Sequence, residues 1–391
     1  MMTSKKTISK LSLDICLFLV LDAGYLDIHS LKKLDEVVRY NHCLSGSQFQ
    51  QRIFFAVDHY IDPRSLGLTE IMGWIIDNRI PLSKMNFSPI TSWSGGAMID
   101  KNLMKLTTIS PNLITCNLDQ NMHLTDNSIG SLLDNCSALQ ELSIKYLTIN
   151  GSGLTTRNTQ LQNLRKIDLR GCLFLNDDNL IIFSTRIPNV TEIAFADSQR
   201  VTDMTFIALA TSCFTLEVLH VERMIHITDD SITLVSQNNP NLRKITLDAL
   251  YNMSEKMTCI SILQTCHLLQ VYILRTLDAL FEIEDTIVIQ LVDNCPKLKQ
   301  LHMYSNHVDS ISYITEESIR AISNTLVNLV SLRLDVDPNT ILPDDLHITD
   351  LSRTPSDPLE CLVKQCANLE LVDIRRKGSG LGDWYYIVLV N

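Results

Sequence analysis

One stretch of the chain, residues 213–232, reads Cys213-Phe-Thr-Leu216-Glu-Val-Leu219-His-Val221-Glu-Arg-Met224-Ile-His-Ile227-Thr228-Asp229-Asp230-Ser-Ile232. In it Leu219 and Val221 alternate with other side chains, and a period of two predicts a short strand with one buried face. Thr228 is placed to cap a helix that begins at Asp229, because a threonine oxygen can accept from the first free amides of a helix. The stretch therefore predicts a strand, a turn and a helix in series.

The same spacing recurs from Leu82 to the end of the chain. The lead apolar residue of successive copies falls at steps of 25 or 26 residues, at Leu113, Leu139, Leu164, Val190, Leu216, Leu242 and Leu268. These steps lie within the range of about 20 to 29 residues that is typical of leucine-rich repeats. Longer steps follow, to Leu298, Leu329 and Leu369. The pattern predicts an α/β fold, a right-handed, horseshoe-shaped solenoid of about eleven strand-turn-helix repeats.

Cysteines hold a fixed place in this repeat. Four of them stand three residues before the lead residue, at Cys136, Cys213, Cys295 and Cys366. Cys266 stands two residues before its lead residue, and Cys172 fills a later position of its own repeat. This pattern resembles the cysteine-containing repeats of the F-box/leucine-rich-repeat protein family. The resemblance covers roughly four fifths of the chain and implies a scaffold that binds other proteins.

The first 60 residues allow two interpretations. The segment from Leu11 to Ile53 is similar to a degenerate F-box, with Ser12, Val20, Tyr40 and Asn41 departing from the family motif. The resemblance implies binding to a Skp-type adaptor, which bridges to a cullin, through Leu11, Ile15, Leu19, Leu31, Leu34, Val37 and Val38. The last four of these residues have the three- and four-residue spacing of an apolar helix stripe. The alternative is that these helices only cap the first repeat.

Charge and cysteine usage bound the cellular setting. The net charge is −11, and no lysine- or arginine-rich run occurs, which argues against nucleic acid as a partner. Buried free cysteines suit a reducing compartment, so we expect a cytoplasmic or nuclear protein. A secreted receptor would need the apolar run 11–21 to act as a signal peptide, but Asp14 interrupts it. That run is also too short to span a membrane.

The outward strand positions of successive repeats predict columns of side chains on a concave face. We expect the partner-binding patch where aromatic residues fall in these columns, with His220, Glu222, Tyr272, Leu274, His302, Tyr304 and Arg333. The alternative is that these side chains pack against the tail 377–391. Three long insertions, at 275–284, 305–314 and 335–347, are expected to be loops at one rim and place the binding end in the last third.

The sequence shows no arrangement typical of catalysis or metal binding. The ten histidines are scattered, and none accompanies a nucleophile in a recognisable motif. Cys361 and Cys366 lack the spacing of paired zinc knuckles, so we expect no metal, no cofactor and no enzymatic activity. The hypothesis is a module at 1–60 and a repeat array at 61–391, capped by 377–391. Together they would form the substrate-recognition subunit of a Skp-cullin-F-box (SCF) ubiquitin ligase. The alternative is a leucine-rich-repeat scaffold without adaptor binding.

Overall fold

The computed structural model describes residues 76–77, 79, 81–87, 98–156, 160–250, 252–253, 255–276, 280–307, 311–337, 340 and 358–376. The proposed module at 1–60 and the tail at 377–391 lie outside the described residues, so both stay predictions. The chain divides into two compact units, Met1–Ser143 and Ile144–Asn391.

The first unit contains the earliest repeats. Its described elements are β1 (Lys84–Asn86), α1 (Asp100–Ile109), β2 (Thr115–Asn117), α2 (Asp126–Asn135) and β3 (Glu141–Ser143). The three strands pair in parallel, with Met85 opposite Cys116 and Cys116 opposite Leu142. All three of these side chains are buried. Each strand therefore turns one apolar face toward the helices, as its period of two predicts.

The second unit continues the same alternation. Its described elements are β4 (Lys166–Asp168), α3 (Asp177–Arg186), β5 (Glu192–Ala196), α4 (Asp203–Ser212), β6 (Val218–Glu222), α5 (Asp229–Asn238), β7 (Lys244–Asp248), α6 (Glu255–Thr265), β8 (Val271–Thr276), β9 (Leu280–Glu284), α7 (Asp285–Asn294), β10 (Gln300–Ser305), β11 (Ile311–Tyr313), α8 (Glu316–Thr325), β12 (Ser331–Val336), α9 (Pro358–Gln365) and β13 (Leu371–Arg376). A short 3-10 helix, Ser152–Thr155, precedes β4. Strands β4 to β8, β10, β12 and β13 pair in parallel in chain order. The α/β repeat fold is thus confirmed.

Two of the three long insertions are not simple loops. Strands β9 and β11 fall within the ranges 275–284 and 305–314, and they pair with each other in a separate parallel two-stranded sheet. Ser312 at its centre is buried and donates from its hydroxyl to the Asp335 carbonyl at 2.7 Å. The expectation of loops at these two positions is therefore wrong, because the inserted residues pair with each other and supply their own hydrogen bonds.

One repeat is longer than the sequence pattern indicates. Helix α6 has 11 residues, whereas α5 and α7 have ten. As a result Tyr272 lies opposite Ile245 and Leu301, and the lead residue is Leu269, not Leu268. The Leu269 amide donates to the Cys266 carbonyl at 3.2 Å, the bond that most lead residues make to the residue three positions earlier, as in Leu298 to Cys295. A shift of one residue reverses the face to which every side chain of the strand points.

This shift corrects two predicted site residues. Tyr272 is fully buried and its hydroxyl lies 3.1 Å from the Cys259 thiol, while Leu274 is only 4% exposed. Both are core residues, so their assignment to a partner-binding patch is wrong. Ile273 and Arg275 take the outward positions of β8 instead. The shift also places Cys266 three residues before its lead residue, like the other cysteines of this phase.

Carboxylates in the first helical turn join several repeats to the repeat that follows. In the second unit, Asp203 accepts from the Thr228 amide at 2.9 Å and from the Thr228 hydroxyl at 2.8 Å. Asp177 and Thr202 make the same two bonds at 3.0 and 2.7 Å. In the first unit Asp100 and Thr125 make them at 2.8 and 2.6 Å. The threonine-aspartate pair in the sequence thus serves two repeats, since its threonine binds the preceding repeat.

The outcome for Thr228 differs in part from the cap prediction. Helix α5 begins at Asp229 as expected, and Thr228 stands at the N-cap, but its side chain makes no hydrogen bond to its own helix. Its hydroxyl donates to Asp203 instead. Thr202, by contrast, also accepts from the Met204 amide at 3.3 Å. The repeated threonine therefore supplies inter-repeat bonds, and at Thr125, Thr202 and Thr315 its side chain caps its own helix as well.

Buried thiols bond in the same inter-repeat direction. The Cys213 thiol lies 3.5 Å from the Ile187 carbonyl, and the Cys295 thiol lies 3.4 Å from the Cys266 carbonyl. Burial raises the pKa of both thiols to about 12, so each stays protonated and donates. Cys213 and Cys295 are both buried free thiols. They act as small buried side chains with a weak donor.

We predict that Asp203→Ala will lower the free energy of unfolding by about 2 kcal/mol, because it removes two hydrogen bonds to a charged acceptor. The control is Asp230→Ala, which removes an exposed carboxylate from the first turn of α5 and should cost about 0.5 kcal/mol through the helix dipole. Urea unfolding followed by circular dichroism measures both. Equal losses in the two variants would show that the inter-repeat bonds add nothing beyond the dipole term.

Candidate interaction surface

Outward side chains of the second unit line up in two columns. The first column, which includes the middle residue of each strand, consists of Asp168, Ala194, His220, Thr246, Ile273, His302, Arg333 and Asp373. The second column, two residues further along, consists of Ala196, Glu222, Asp248, Arg275, Tyr304, Asp335 and Arg375. Parallel pairing in register sets adjacent members about 5 Å apart. The columns are the face on which a partner would meet rigid strands.

Ion pairs cross-link the early part of these columns. The Arg170 guanidinium lies 2.7 Å from Asp168 and 3.8 Å from Glu222. Arg223 reaches Asp197 at 2.6 Å and Glu222 at 3.5 Å. The bond to Asp168 raises the pKa of Arg170, and the bond to Asp197 does the same for Arg223. Single exposed pairs contribute little stability, but a network of this kind fixes the positions of the side chains in it.

The later part of the columns is paired as well. Arg275 bonds to Asp248, the residue beside it in the second column. Arg375 lies 2.9 Å from Asp373, and its guanidinium carbon is 5.0 Å from the centre of the Tyr304 ring. This cation-π contact covers Tyr304, which is only 8% exposed. Tyr304 does lie in the predicted column, but it is packed under Arg375 and offers little surface to a partner.

The two predicted histidines of the face are neutral at physiological pH. Burial, with Lys244 next, lowers the pKa of His220 to about 4. Burial, with Arg333 next, lowers the pKa of His302 to about 4. His220 Nδ1 and the hydroxyl of the adjacent Thr246 are both buried without a hydrogen-bond partner. Neither histidine therefore adds a positive charge to the columns.

His302 and Ser331 form a close pair that lacks the rest of a catalytic site. His302 Nε2 lies 2.7 Å from the Ser331 hydroxyl. The Ser331 amide already donates to the Lys299 carbonyl at 3.1 Å, so it is unavailable to stabilise an oxyanion. The carboxylate of Asp373 is held by Arg375. The pair is a structural hydrogen bond of the sheet.

Three exposed apolar side chains lie outside the columns, in turns that follow a strand. Tyr146 is 45% exposed, Leu173 is 49% exposed and Phe174 is 44% exposed. Sequence reasoning missed these residues because it searched the strand columns for aromatics. The sequence does contain a sign of this exposure. Leu173 and Phe174 lie between Cys172 and Leu175, and Cys172 and Leu175 are the two residues of this turn that are buried in the core.

The turns that follow strands β3 to β7 each have a left-handed residue directly after the second column. These residues are Tyr146, Gly171, Asp197, Arg223 and Ala249, with φ values of 59°, 74°, 61°, 47° and 54°. A Cβ atom built on Gly171 would clash with the Tyr146 ring. The glycine thus allows the left-handed turn and also the close approach of the ring.

Some functional classes find no support in the part of the chain that the structure describes. No group of three or more histidine, cysteine, aspartate or glutamate side chains there could hold a metal ion. Among the same residues, every helix is too short or too polar to cross a membrane.

Comparison with known proteins gives distant similarities. No protein-family model matches the chain. A curated protein of Caenorhabditis elegans, named putative RNA-binding protein EEED8.10, is 24% identical over 230 residues. The match covers 58% of this chain and 30% of the relative, so the chain spans less than a third of the relative's length.

Solved structures with a similar chain are equally distant in sequence. One is from the crystal structure of the Rad7 and Elc1 complex in yeast, with a TM-score of 0.42 and 16% identity over 92% of this chain and 96% of that one. A TLR13-ssRNA13 complex gives a TM-score of 0.42 and 16% identity over 76% and 40%. The leucine-rich repeat-containing protein LegL7 from Legionella pneumophila gives 0.38 and 11% over 82% and 88%.

Acid should destabilise the fold through two half-buried histidines, His220 and His302. Their pKa is near 6.5 in the unfolded chain and about 4 in the fold, so the unfolded state binds more protons between these values. The free energy of unfolding should therefore fall as the pH is lowered from about 7 to about 4. Urea unfolding across this range should show a shallower decline for His220→Gln and His302→Gln. His226→Gln, in an exposed turn, is the control, and an unchanged slope in all three variants would contradict the assignment.

Proposed function

We propose that this chain is the substrate-recognition subunit of an SCF-type ubiquitin ligase. In this proposal the N-terminal 60 residues bind a Skp-type adaptor and, through it, a cullin. The repeat array holds a target protein. The chain itself performs no chemistry, because its contribution is to raise the effective concentration of the target near the ubiquitin-carrying enzyme.

The observation that carries the proposal is the phase of the cysteines. With the corrected register, Cys136, Cys213, Cys266, Cys295 and Cys366 all stand three residues before a buried lead residue. Their thiols approach carbonyls of the preceding repeat, as in Cys136 to Ser110 at 3.3 Å and Cys366 to Leu326 at 3.3 Å. This geometry supports the resemblance to the cysteine-containing repeats of F-box proteins. It also requires reduced thiols, which supports the proposed cytoplasmic or nuclear location.

The face formed by the two columns suits protein binding better than nucleic-acid binding. Its arginines are paired with carboxylates of the same face, as Arg170 is with Asp168 and Arg275 with Asp248. A protein that grips phosphates needs cations that are free to release counterions, and this chain has a net charge of −11. We therefore do not propose for this chain the RNA-binding function that the relative's name states.

The alternative is a leucine-rich-repeat scaffold that binds proteins without an adaptor. In this alternative the repeat surface still binds the partner protein, and the N-terminal residues only cap the first repeat. The two functions differ only in what residues 1–60 do, so the test addresses those residues directly.

The full-length chain should retain a purified Skp-type adaptor in a pull-down. Ile15→Asp and Leu31→Asp should each lower the retained adaptor at least about tenfold, because a carboxylate would replace an apolar contact. Ile182→Asp is the matched control, since Ile182 on α3 is 48% exposed and lies in the repeat array. Failure of the unmodified chain to bind, with the same melting temperature in all four proteins, would reject the ligase function in favour of the scaffold.

A further inference from the structure

The backbone carbonyl at one position of the repeat accepts two amides from the repeat that follows. The Lys299 carbonyl, for example, accepts from the Val330 amide at 2.7 Å and from the Ser331 amide at 3.1 Å. The same pair of bonds forms at the carbonyls of Arg165, Thr191, Glu217, Arg243, Gln270 and Val330. Glu370 holds this position in the last described repeat, and within the described chain its carbonyl accepts no amide. That repeat therefore ends the array with an unused backbone acceptor.

An open groove lies beside this acceptor, at the edge where the last strands begin. Its volume is about 1070 Å³. Ligand sites usually have volumes of about 300 to 1,000 Å³, so the groove is large enough for a short peptide segment. Val330 and Leu371 are half-buried and give it apolar surface, and Asn328 and Asn368 give it exposed amide groups. We call this site the end groove, lined by Lys299, Asn328, Val330, Asn368, Glu370 and Leu371.

Two opposite charges flank the apolar part of the end groove. Lys299, Val330 and Glu370 hold the same position in three successive repeats, so Val330 lies between the cation and the carboxylate. At about 5 Å per repeat the two charges are roughly 10 Å apart, too far for an ion pair. Both side chains are exposed, and neither forms an ion pair within the described chain. In the middle of the array, by contrast, Glu217 and Arg243 hold this position in adjacent repeats and pair at 3.3 Å.

The neighbouring charges leave this arrangement in place. Lys297 is exposed two residues before Lys299, so the positive end of the groove has a second cation nearby. Asp293 is exposed near the end of α7, and no described ion pair joins it to either lysine. On the other side Lys364 lies in the last turn of α9, and no described ion pair joins it to Glu370. The end groove therefore has one positive and one negative end.

We propose that the end groove is the docking site for an extended segment of a partner protein that carries an acidic and a basic side chain about three residues apart. The acidic side chain pairs with Lys299 and the basic side chain pairs with Glu370. An apolar side chain between them covers Val330, and backbone amides of the segment donate to the Glu370 carbonyl. The spacing follows from a rise of about 3.3 Å per residue over roughly 10 Å. This inference rests on the protein-binding part of the proposed function and adds the place and the chemistry of the partner.

The tail 377–391 matches the charges of the end groove less well. Its only charged side chains are Lys377 and Asp383, six residues apart. An extended chain of that length spans about 20 Å, roughly twice the separation of the two charges in the groove. The charge pattern therefore favours a separate protein as the occupant.

The test is a selection of displayed random peptides of about 12 residues on the full-length chain. Enriched peptides should carry one acidic and one basic residue about two to four residues apart, with an apolar residue between them. In fluorescence polarisation, Lys299→Glu and Glu370→Lys should each weaken the binding of these peptides at least about tenfold, because an attraction becomes a repulsion. Exchanging the basic residue of the peptide for glutamate should restore its affinity for Glu370→Lys and lower its affinity for the unmodified chain.

Glu217→Lys is the matched control. Glu217 holds the same repeat position as Glu370, but it pairs with Arg243 and lies outside the end groove. Its replacement should leave the peptide affinity unchanged. No enrichment, enrichment of peptides that lack the charge pair, equal losses in Glu217→Lys and Glu370→Lys, or no restoration by the exchanged peptide would each reject the inference.

Two further measurements separate this inference from its neighbours. Tyr385→Ser combined with Ile387→Ser in the tail should leave the peptide affinity unchanged, and a severalfold gain would assign the end groove to the tail instead. In the adaptor pull-down Glu370→Lys should retain the adaptor as the unmodified chain does. Peptide binding without adaptor binding would reject the ligase function and leave the end groove in place on a scaffold.

Discussion

The carboxylate that joins a helix to the threonine of the next repeat is the contact on which the repeat architecture depends. A strand-turn-helix unit cannot bury its apolar face alone, so each unit needs a neighbour held at a fixed distance and angle. Parallel strand pairing fixes the neighbour on the strand side. On the helix side, the bonds of Asp203 with Thr228 and of Asp285 with Thr315 fix it. Asp285 accepts from the Thr315 amide at 2.8 Å and from the Thr315 hydroxyl at 2.6 Å. Buried thiols add a third line of contact at the opposite helix end.

Because the strands are held in register, the outward side chains reach one another as well. Arg223 bonds at once to Asp197 in the preceding turn and to Glu222 beside it. A partner that bonds to these charges must first remove their water and break the existing ion pairs. Both steps cost free energy. A face saturated by its own ion pairs is rigid and shaped, but it offers few unused charges to a ligand.

The sequence was sufficient to predict the repeat, its period and most strand registers, because buried leucines and helix caps recur together. It was insufficient at β8, where one extra residue in α6 changed the facing of Tyr272 and Leu274. One additional residue in a helix does not visibly change the composition or the polarity of the sequence. The clue was Cys266, the one cysteine of its phase that stood two residues before its assumed lead residue. The repeat period also could not predict the pairing of β9 with β11, because both strands lie in insertions that have no counterpart in the repeat.

Paired columns and exposed turns differ in the binding free energy that they offer to a partner. At the columns a ligand must compete with internal partners, such as Asp168 for Arg170. At the turns after the early strands it meets Tyr146 and Phe174, whose exposed area yields a favourable free energy when water is displaced. Arg170 connects the two regions, since its backbone carbonyl holds Tyr146 while its guanidinium belongs to the paired face. The polar groups of a partner on the columns would thus face charges that are already paired, so shape complementarity would contribute more to binding there than charge.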